Sequence, residues 1–436
     1  MQDNEVPAGF FNPASPCRSF FSVSSTPDPI DSSRMNASER RASGSLATVF
    51  AARMLGLFLV LPVFALEAAR YPGGDDPARV GLAMGIYGLT QGLLQIPFGM
   101  ASDRFGRKRT IILGLLVFAA GSFLAAAADS LTGLVIGRSL QGAGAVSAAV
   151  TALLADQTRD EVRTKAMALV GASIGLMFAL SLVAAPLLVR HIGLAGLFAV
   201  TGALALACIA VVAWWTPPEP AQHRNVSRGS LAEVLSHPGL LRLDIGVFVL
   251  HAVQLAMWIA IPALLVRAGL ASEDHWQVYL PAVLGSFMVM GFTLFPLERR
   301  GYLRAVFLAA VALVGLVQVG LLLVARDPGI PALAALLFVF FCGFNVLEAS
   351  QPSMASRIAP PHARGAALGV YNTLQSVGFF AGGVVGGWLA KSVGSAGLFA
   401  ACGALVLLWL VVAWPMRAPR PARSADEVLA SEAQAT

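Results

Sequence analysis

Apolar residues run in blocks of about twenty along this chain, and charged and turn-forming residues gather in the short stretches between them. Crossing about 30 Å of hydrocarbon at about 1.5 Å per residue takes roughly twenty helical residues. Twelve blocks reach that length, near 46–67, 80–101, 109–128, 131–153, 166–189, 194–215, 243–266, 277–297, 304–325, 330–352, 365–390 and 395–415. A membrane β-barrel would alternate apolar and polar residues instead. The pattern predicts an all-α membrane protein of twelve transmembrane helices.

The pattern also repeats. Ala195-Gly196-Leu197-Phe198-Ala199 recurs as Ala396-Gly397-Leu398-Phe399-Ala400, and Gly202-Ala203-Leu204 as Gly403-Ala404-Leu405, both at an offset of 201. Arg163 matches Arg364 at the same offset, and Pro62 matches Pro262 at 200. One period recurring across several spans predicts two six-helix halves, 46–216 and 243–416, related by an axis normal to the membrane. The basic, proline-bearing segment 217–242 is the expected linker. Residues 1–45, rich in Ser, Pro and Asn, read as a disordered tail without the pattern of a cleaved signal peptide. Met35, just before Asn-Ala-Ser-Glu-Arg-Arg, reads as a natural start, and 417–436 as a short polar tail.

Composition removes the soluble alternatives. Of 436 residues, 57% are apolar and 12% charged, about half the charged share of a soluble protein. The net charge of +6 points to anionic lipid rather than nucleic acid, because the cations sit in loops beside the spans. With the N-terminal tail placed inside, 22 Lys and Arg fall on the cytoplasmic side and 6 on the other, which predicts both termini in the cytoplasm. Arginine outnumbers lysine 27 to 3 in an alanine- and glycine-rich chain, the usage of a GC-rich bacterial genome, so the expected location is a bacterial inner membrane. Cys17, Cys208, Cys342 and Cys402 form no CxxC pair, and no metal site or cofactor is expected.

The most specific stretch joins spans 2 and 3: Gly99-Met100-Ala101-Ser102-Asp103-Arg104-Phe105-Gly106-Arg107-Lys108-Arg109. Glycine permits close helix approach at 99 and a tight turn at 106, the cations hold the loop inside, and Asp103 is placed to pair with arginine or face a helix N-terminus. A loop that only set topology would not need an acid and two glycines at fixed offsets. This stretch resembles the signature of the major facilitator superfamily, G-x-x-x-D-R-x-G-R-K/R, and Glu298-Arg299-Arg300-Gly301 is a fainter copy between spans 8 and 9. Arg138-Ser139-Leu140-Gln141-Gly142-Ala143-Gly144 in span 4 is similar to a second family motif, R-x-x-Q-G-x-G. The resemblance covers about residues 46–416 and points to the drug:proton antiporter branch. It implies a conformational latch built from Gly99, Asp103, Arg104, Gly106, Arg107 and Lys108, closing the cytoplasmic side at the N-terminus of span 11. One departure stands against antiport: span 5 carries Gly171, Gly175 and then Ala185-Pro186-Leu187-Leu188, where that branch has Gly-Pro and Gly-Gly.

Ionisable groups inside a bilayer are functional candidates by default. Arg138 lies about 10 Å into span 4, where its motif implies a cation that senses protonation of a neighbouring acid; the structural alternative is snorkelling to the surface. Arg53 is as deep in span 1, with function and snorkelling evenly balanced. Glu348 in span 10 sits where burial suits reversible protonation, or an ion pair at the interface. His251 lies near the middle of span 7 on a stripe with Asp244, Gln254 and Trp258, and is a proton carrier or a packed, hydrogen-bonded side chain.

Two further stripes read as cavity lining or as helix–helix glue. One is Tyr87, Thr90, Gln91 and Gln95 in span 2. The other is Tyr371, Asn372, Gln375, Ser376 and Phe379 in span 11. Gln141 and Asn345 complete the candidate cavity. Aromatics with amides suit a mainly apolar solute better than a sugar.

No nucleotide-binding, metalloprotease, kinase or nucleophile-elbow signature is present, so neither an enzyme nor ATP-driven transport is expected. The leading expectation is a monomeric secondary transporter, with a small-molecule substrate, protons and membrane lipids as its partners, exporting amphipathic or drug-like molecules by alternating access. The rivals are a proton-driven importer of a small organic metabolite and a membrane sensor or scaffold without flux.

Overall fold

The computed structural model describes residues 35–144, 146–219 and 231–416. The expected tails up to residue 34 and beyond 416, and most of the linker, lie outside the described residues.

The first half contains α1 (Ala37–Ala68), α2 (Pro77–Phe105), α3 (Arg107–Ala126), α4 (Leu131–Ala143), α5 (Ser147–Asp156) and α6 (Asp160–Ala210), which a π-helical turn extends over Val211–Trp215. A short linker helix, α7 (Leu231–Ser236), precedes α8 (Pro238–Arg267), α9 (Trp276–Arg299), α10 (Leu303–Val324), α11 (Ile330–Ile358) and α12 (Arg364–Ala413). α1 begins ahead of residue 46 because Asn36 and Glu39 form a reciprocal capping box, each backbone N–H donating 2.8 Å to the other's side chain.

Among the described residues, eight helices are long and apolar enough to cross a membrane, against twelve expected spans. The difference has identifiable causes. α6 and α12 run 51 and 50 residues, about 75 Å if straight, far more than a bilayer. Each reverses inside its length, at Gly193 (φ 64°, ψ −177°) and Gly394 (φ 69°, ψ −178°). That conformation is open to glycine and closed to residues with a Cβ, and the two positions stand 201 apart, the period of the sequence repeat. Each long helix is therefore two antiparallel rods joined without a loop. The span expected over 131–153 is divided into α4 and α5 at Gly144. α2 has the expected place, but Gln91, Gln95 and its glycines reduce its apolar character.

The halves repeat in their contacts too. Lys108 Nζ, at the start of α3, donates 2.6 Å to the Thr216 carbonyl. Arg304, at the start of α10, donates to the carbonyls of Trp414 (2.6 Å) and Met416 (2.8 Å). In both halves a cation on the third rod caps the last turn of the sixth.

One face of the bundle carries the start of α1, the α2–α3 turn and Thr216–Glu219, and is called the linker face. The halves meet closely at the opposite, far face. There Gly81 and Gly85 of α2 lie so near Gly383 and Gly387 of α12 that a Cβ on Gly383 would strike the backbone of Gly81 and Gly85. Lys391 Nζ meets Asp76 Oδ2 at 2.8 Å across the same seam. Toward the linker face the halves part. A Cβ on Gly365 or Gly369 of α12, on Gly171 of α6 or on Gly291 of α9 would meet open space, and Leu93 and Met100 of α2 and Phe292 of α9 are exposed. The bundle is shut at the far face and splayed at the linker face.

Candidate functional site

The signature loop is a compact ion-pair cluster on the linker face. Asp103 pairs with Arg107 one turn later, and Arg107 also donates to Ser102 Oγ (2.7 Å) and Asp156 Oδ2 (3.0 Å). Gly106 turns between α2 and α3 with φ 102°. The Arg104 guanidinium lies 5.5 Å from the Phe105 ring, while a Cβ on Gly99 would just touch Ala148. The N-terminus of α3 is filled by a residue that sequence reasoning missed. Glu219 of the linker accepts from the backbone N–H groups of Lys108 (2.6 Å) and Arg107 (3.0 Å), as the helix dipole favours. The expected engagement of Asp103 with the start of α12 is not made in this conformation: its carboxyl is 48% exposed and the first turn of α12 is open at Gly365.

In the first half, α1 directs Arg53 inward to a neutral set of partners. Its guanidinium donates to Ser147 Oγ (2.9 Å), Tyr87 Oη (2.9 Å) and Gln91 Oε1 (3.4 Å), with the Phe118 ring 5.5 Å away. Ser147, at the start of α5, carried no signal in the sequence. Gln91 in turn donates to Ser376 Oγ of α12 at 3.4 Å, so the polar stripes of α2 and α12 do meet across the halves.

Arg138 is a different kind of cation. It is fully buried and donates to the carbonyls of Ala83 (3.4 Å) and Met84 (3.1 Å) and to Gln141 Oε1 (3.0 Å). The rings of Tyr87 and Phe64 lie 5.0 and 5.7 Å away, and Gln141 passes the chain to Ser122 Oγ at 2.9 Å. The acid expected beside Arg138 is absent from these partners, and the side chain does not snorkel. It clamps α4 to the backbone of α2.

In the second half three helices bring Glu348, His251 and Gln375 together. His251 Nε2 lies 3.3 Å from Glu348 Oε2 and 2.8 Å from the Gln375 amide nitrogen, which also donates to Glu348 Oε1 at 3.2 Å. His251 Nδ1 is 2.9 Å from the Val247 carbonyl. A carbonyl only accepts, so Nδ1 carries a hydrogen and Nε2 of a neutral ring is a lone pair. A lone pair and a carboxylate oxygen repel at such a distance. The two amide hydrogens of Gln375 bridge the Nε2 lone pair and the Glu348 carboxylate, and a hydrogen on Nε2 in place of the lone pair would let the ring donate directly to Glu348. Phe379 and Phe344 pack edge-on to the imidazole at 4.9 and 5.9 Å. His251 is 2% exposed and the Glu348 side chain 41%, while the Oε2 oxygen that faces the imidazole is buried and makes no hydrogen bond.

The other candidates scatter. Asn345 donates to Ser286 Oγ at 2.7 Å and ties α11 to α9, the glue reading. Gln254 and Trp258 line a void of about 10 Å³, room for one water at most, on the closed side of the bundle. Gln95 and Tyr371 are buried. A surface depression of about 370 Å³ beside Glu67, Arg70, Asp129 and Gly193 lies apart from these polar chains. Among the described residues, no cluster of three or more His, Cys, Asp or Glu has the arrangement to hold a metal ion.

Comparison with known proteins agrees with this architecture. The family model of the Major Facilitator Superfamily matches residues 46–299 and 296–434. The inner membrane transport protein YajR of Escherichia coli (strain K12) is 41% identical over 391 residues, covering 88% of this chain and 85% of that protein. The multidrug resistance protein MdtH of Aeromonas salmonicida (strain A449) is 27% identical over 349 residues, covering 77% and 84%. The crystal structure of an auto-inhibited POT family peptide transporter has the same fold, with a TM-score of 0.68 over 88% of this chain and 99% of its own at 14% identity. The helical membrane architecture, the loop motif and these matches together make the chain a member of the Major Facilitator Superfamily, a multi-pass membrane transporter and not an enzyme.

Proposed function

We propose that this transporter is a proton-coupled exporter of amphipathic small molecules, acting as a monomer in a bacterial inner membrane with both termini in the cytoplasm. The excess of Lys and Arg on the linker face supports a cytoplasmic linker face, and on that reading the splayed conformation is inward-facing. The observation that carries the reading is the His251–Glu348–Gln375 triad, an acid and an imidazole 3.3 Å apart inside the bundle and bridged by one amide. Proton loss from Glu348 toward the cytoplasm, paired with solute capture between the parted halves, is the exchange an exporter needs. Phe379 and Phe344 against His251, with Gln91 and Gln375 nearby, offer apolar surface and few fixed polar contacts, which suits an amphipath. The multidrug resistance name of MdtH supports the outward direction.

The test uses everted vesicles with an acid interior and a pH-sensitive dye, challenged with lipophilic cations, neutral drugs and organic acids. Proton release provoked by an amphipathic compound and lost in Glu348→Gln is the expected result. Silence across the whole panel, together with uptake of a radiolabelled metabolite by intact cells, would replace export with import.

A further inference from the structure

The cleft between the halves has a definite apex. A Cβ on Gly88 of α2 would strike the Ser376 carbonyl of α12, and one on Gly92 would stand 3.3 Å from Ser376 Cβ. One on Gly369 of α12 would meet open space. Gly369, Thr373 and Ser376 share a face of α12, at steps of four and three, so the halves separate within two turns of Ser376. The Gln91–Ser376 hydrogen bond of 3.4 Å marks that point.

Behind Gln91 stands Arg53. Arg53, Gln91 and Ser376 lie roughly 18–24 Å along their helices from the linker-face ends, well inside the membrane. The guanidinium is 2% exposed, and its partners are the hydroxyls of Ser147 and Tyr87 and the amide oxygen of Gln91. Among the described residues no carboxylate pairs with it, and its Nε is buried without an acceptor. Arg138 is as deeply buried, but there the backbone carbonyls of α2 hold the guanidinium. A buried charge is normally paired, and one inside a membrane protein calls for a task. The two hydroxyls accept from Arg53 and so keep their own hydrogens to donate. Guanidinium and hydroxyls together offer donors to an oxyanion, which forms the stronger, charge-assisted kind of hydrogen bond. Gln91 is the loosest member of the group: both of its contacts are 3.4 Å long, beyond the usual range for such bonds.

We infer that Arg53, Tyr87 and Ser147 form the head-group site for an amphipathic carboxylate, and that Gln91 is the side chain the carboxylate displaces; the inference rests on the export reading above and adds the charge of the solute. The carboxylate enters from the cleft and replaces the Gln91 amide oxygen on the guanidinium, while the apolar part of the solute stays between the halves. Displacing Gln91 also breaks its bond to Ser376 across the seam. Binding thereby loosens the contact that has to part for release at the far face.

The experiment uses three probes that share a ring and differ in charge: 2-naphthoate, 2-naphthyltrimethylammonium and 2-naphthylmethanol. Binding of radiolabelled 2-naphthoate to the purified full-length protein is measured directly and in competition with the other two. The expected result is naphthoate affinity at least about tenfold above that of the ammonium. Arg53→Gln should lower it by about tenfold or more, the loss of one hydrogen bond to a charged group, with partial recovery in Arg53→Lys and no change for the alcohol. Gln91→Ala should tighten naphthoate binding, because nothing is left to displace, whereas a packing role for Gln91 would not. That variant keeps Arg53 in place and tests the site even where Arg53→Gln fails to fold. Equal affinity for carboxylate and ammonium, naphthoate affinity untouched in folded Arg53→Gln, or unchanged or weaker binding in Gln91→Ala would each overturn the site. Proton release in everted vesicles separates the site from the export reading. Release provoked by the ammonium and not by naphthoate would overturn the carboxylate site and leave proton-coupled export standing. Carboxylate-selective binding without release by any of the three would sustain the site and overturn the coupling.

Discussion

Lys391 and Asp76 hold the halves together at the far face through a 2.8 Å ion pair between α12 and the N-cap of α2. The Lys391 hydrogen bond, aided by the Ala78 N–H, holds the Asp76 carboxyl below the usual range. A lowered carboxylate value means that the pairing is complete above the ordinary Asp range and is lost only as pH falls through the lowered value. Closure of the far face is therefore expected to be insensitive to pH near neutrality and to loosen in strongly acid medium. Lys391→Gln should loosen it at every pH. Spin-label distances across the Asp76–Lys391 seam check both statements; a distance distribution unmoved by the substitution would show that the glycine seam alone keeps the face shut.

That seam gives a second prediction. A side chain on Gly383 has no room beside the backbone of Gly81 and Gly85, and overpacking of this kind costs about 1–3 kcal/mol. The cost falls only on the closed far face, so Gly383→Val should shift the population toward the state open at the far face. Cysteine labelling from that side should then quicken at positions lining the seam.

Arg138 and Glu348 should respond differently. Arg138→Met leaves Gln141 Oε1 without its Arg138 donor and removes the second hydrogen bonds to two α2 carbonyls, a loss of about 1–3 kcal/mol. It should lower the melting temperature and the amount of folded protein while leaving the pH profile of exchange unchanged. On the proposed proton coupling, His251→Phe and Glu348→Gln should each abolish proton release, and the double variant should be no worse than either if the two groups act as one unit.

Gly193 and Gly394 should be intolerant of any Cβ. Alanine at either is expected to cost about 1–3 kcal/mol, and the two costs should add because the turns share no partner. Melting temperatures of the single and double variants measure this directly.

The spans were legible because the bilayer imposes a length on each, and the 201-residue period made the halves visible through Ala195–Ala199 and Ala396–Ala400. The same period passes through Gly193 and Gly394, yet hydropathy alone does not tell a reversal at one glycine from a loop. The ionisable candidates were legible as costly residues in apolar blocks, but their partners were not. Glu348 meets His251 and Gln375 only through the relative register of three helices, and Arg138 looked like Arg53 until the α2 carbonyls were seen around it. Glu219 and Ser147 lie in a proline-rich turn and an alanine-rich stretch, where no pattern sets them apart.

The loopless reversals at Gly193 and Gly394 also bear on how the bilayer acts on transport. An outer rod joined to its inward neighbour by a single glycine has no slack, so a tilt forced on the outer rod by a thinner or thicker membrane is passed to the rod beside the central site. Lipid thickness thereby becomes a mechanical input to the access equilibrium, applied at the same place in both halves.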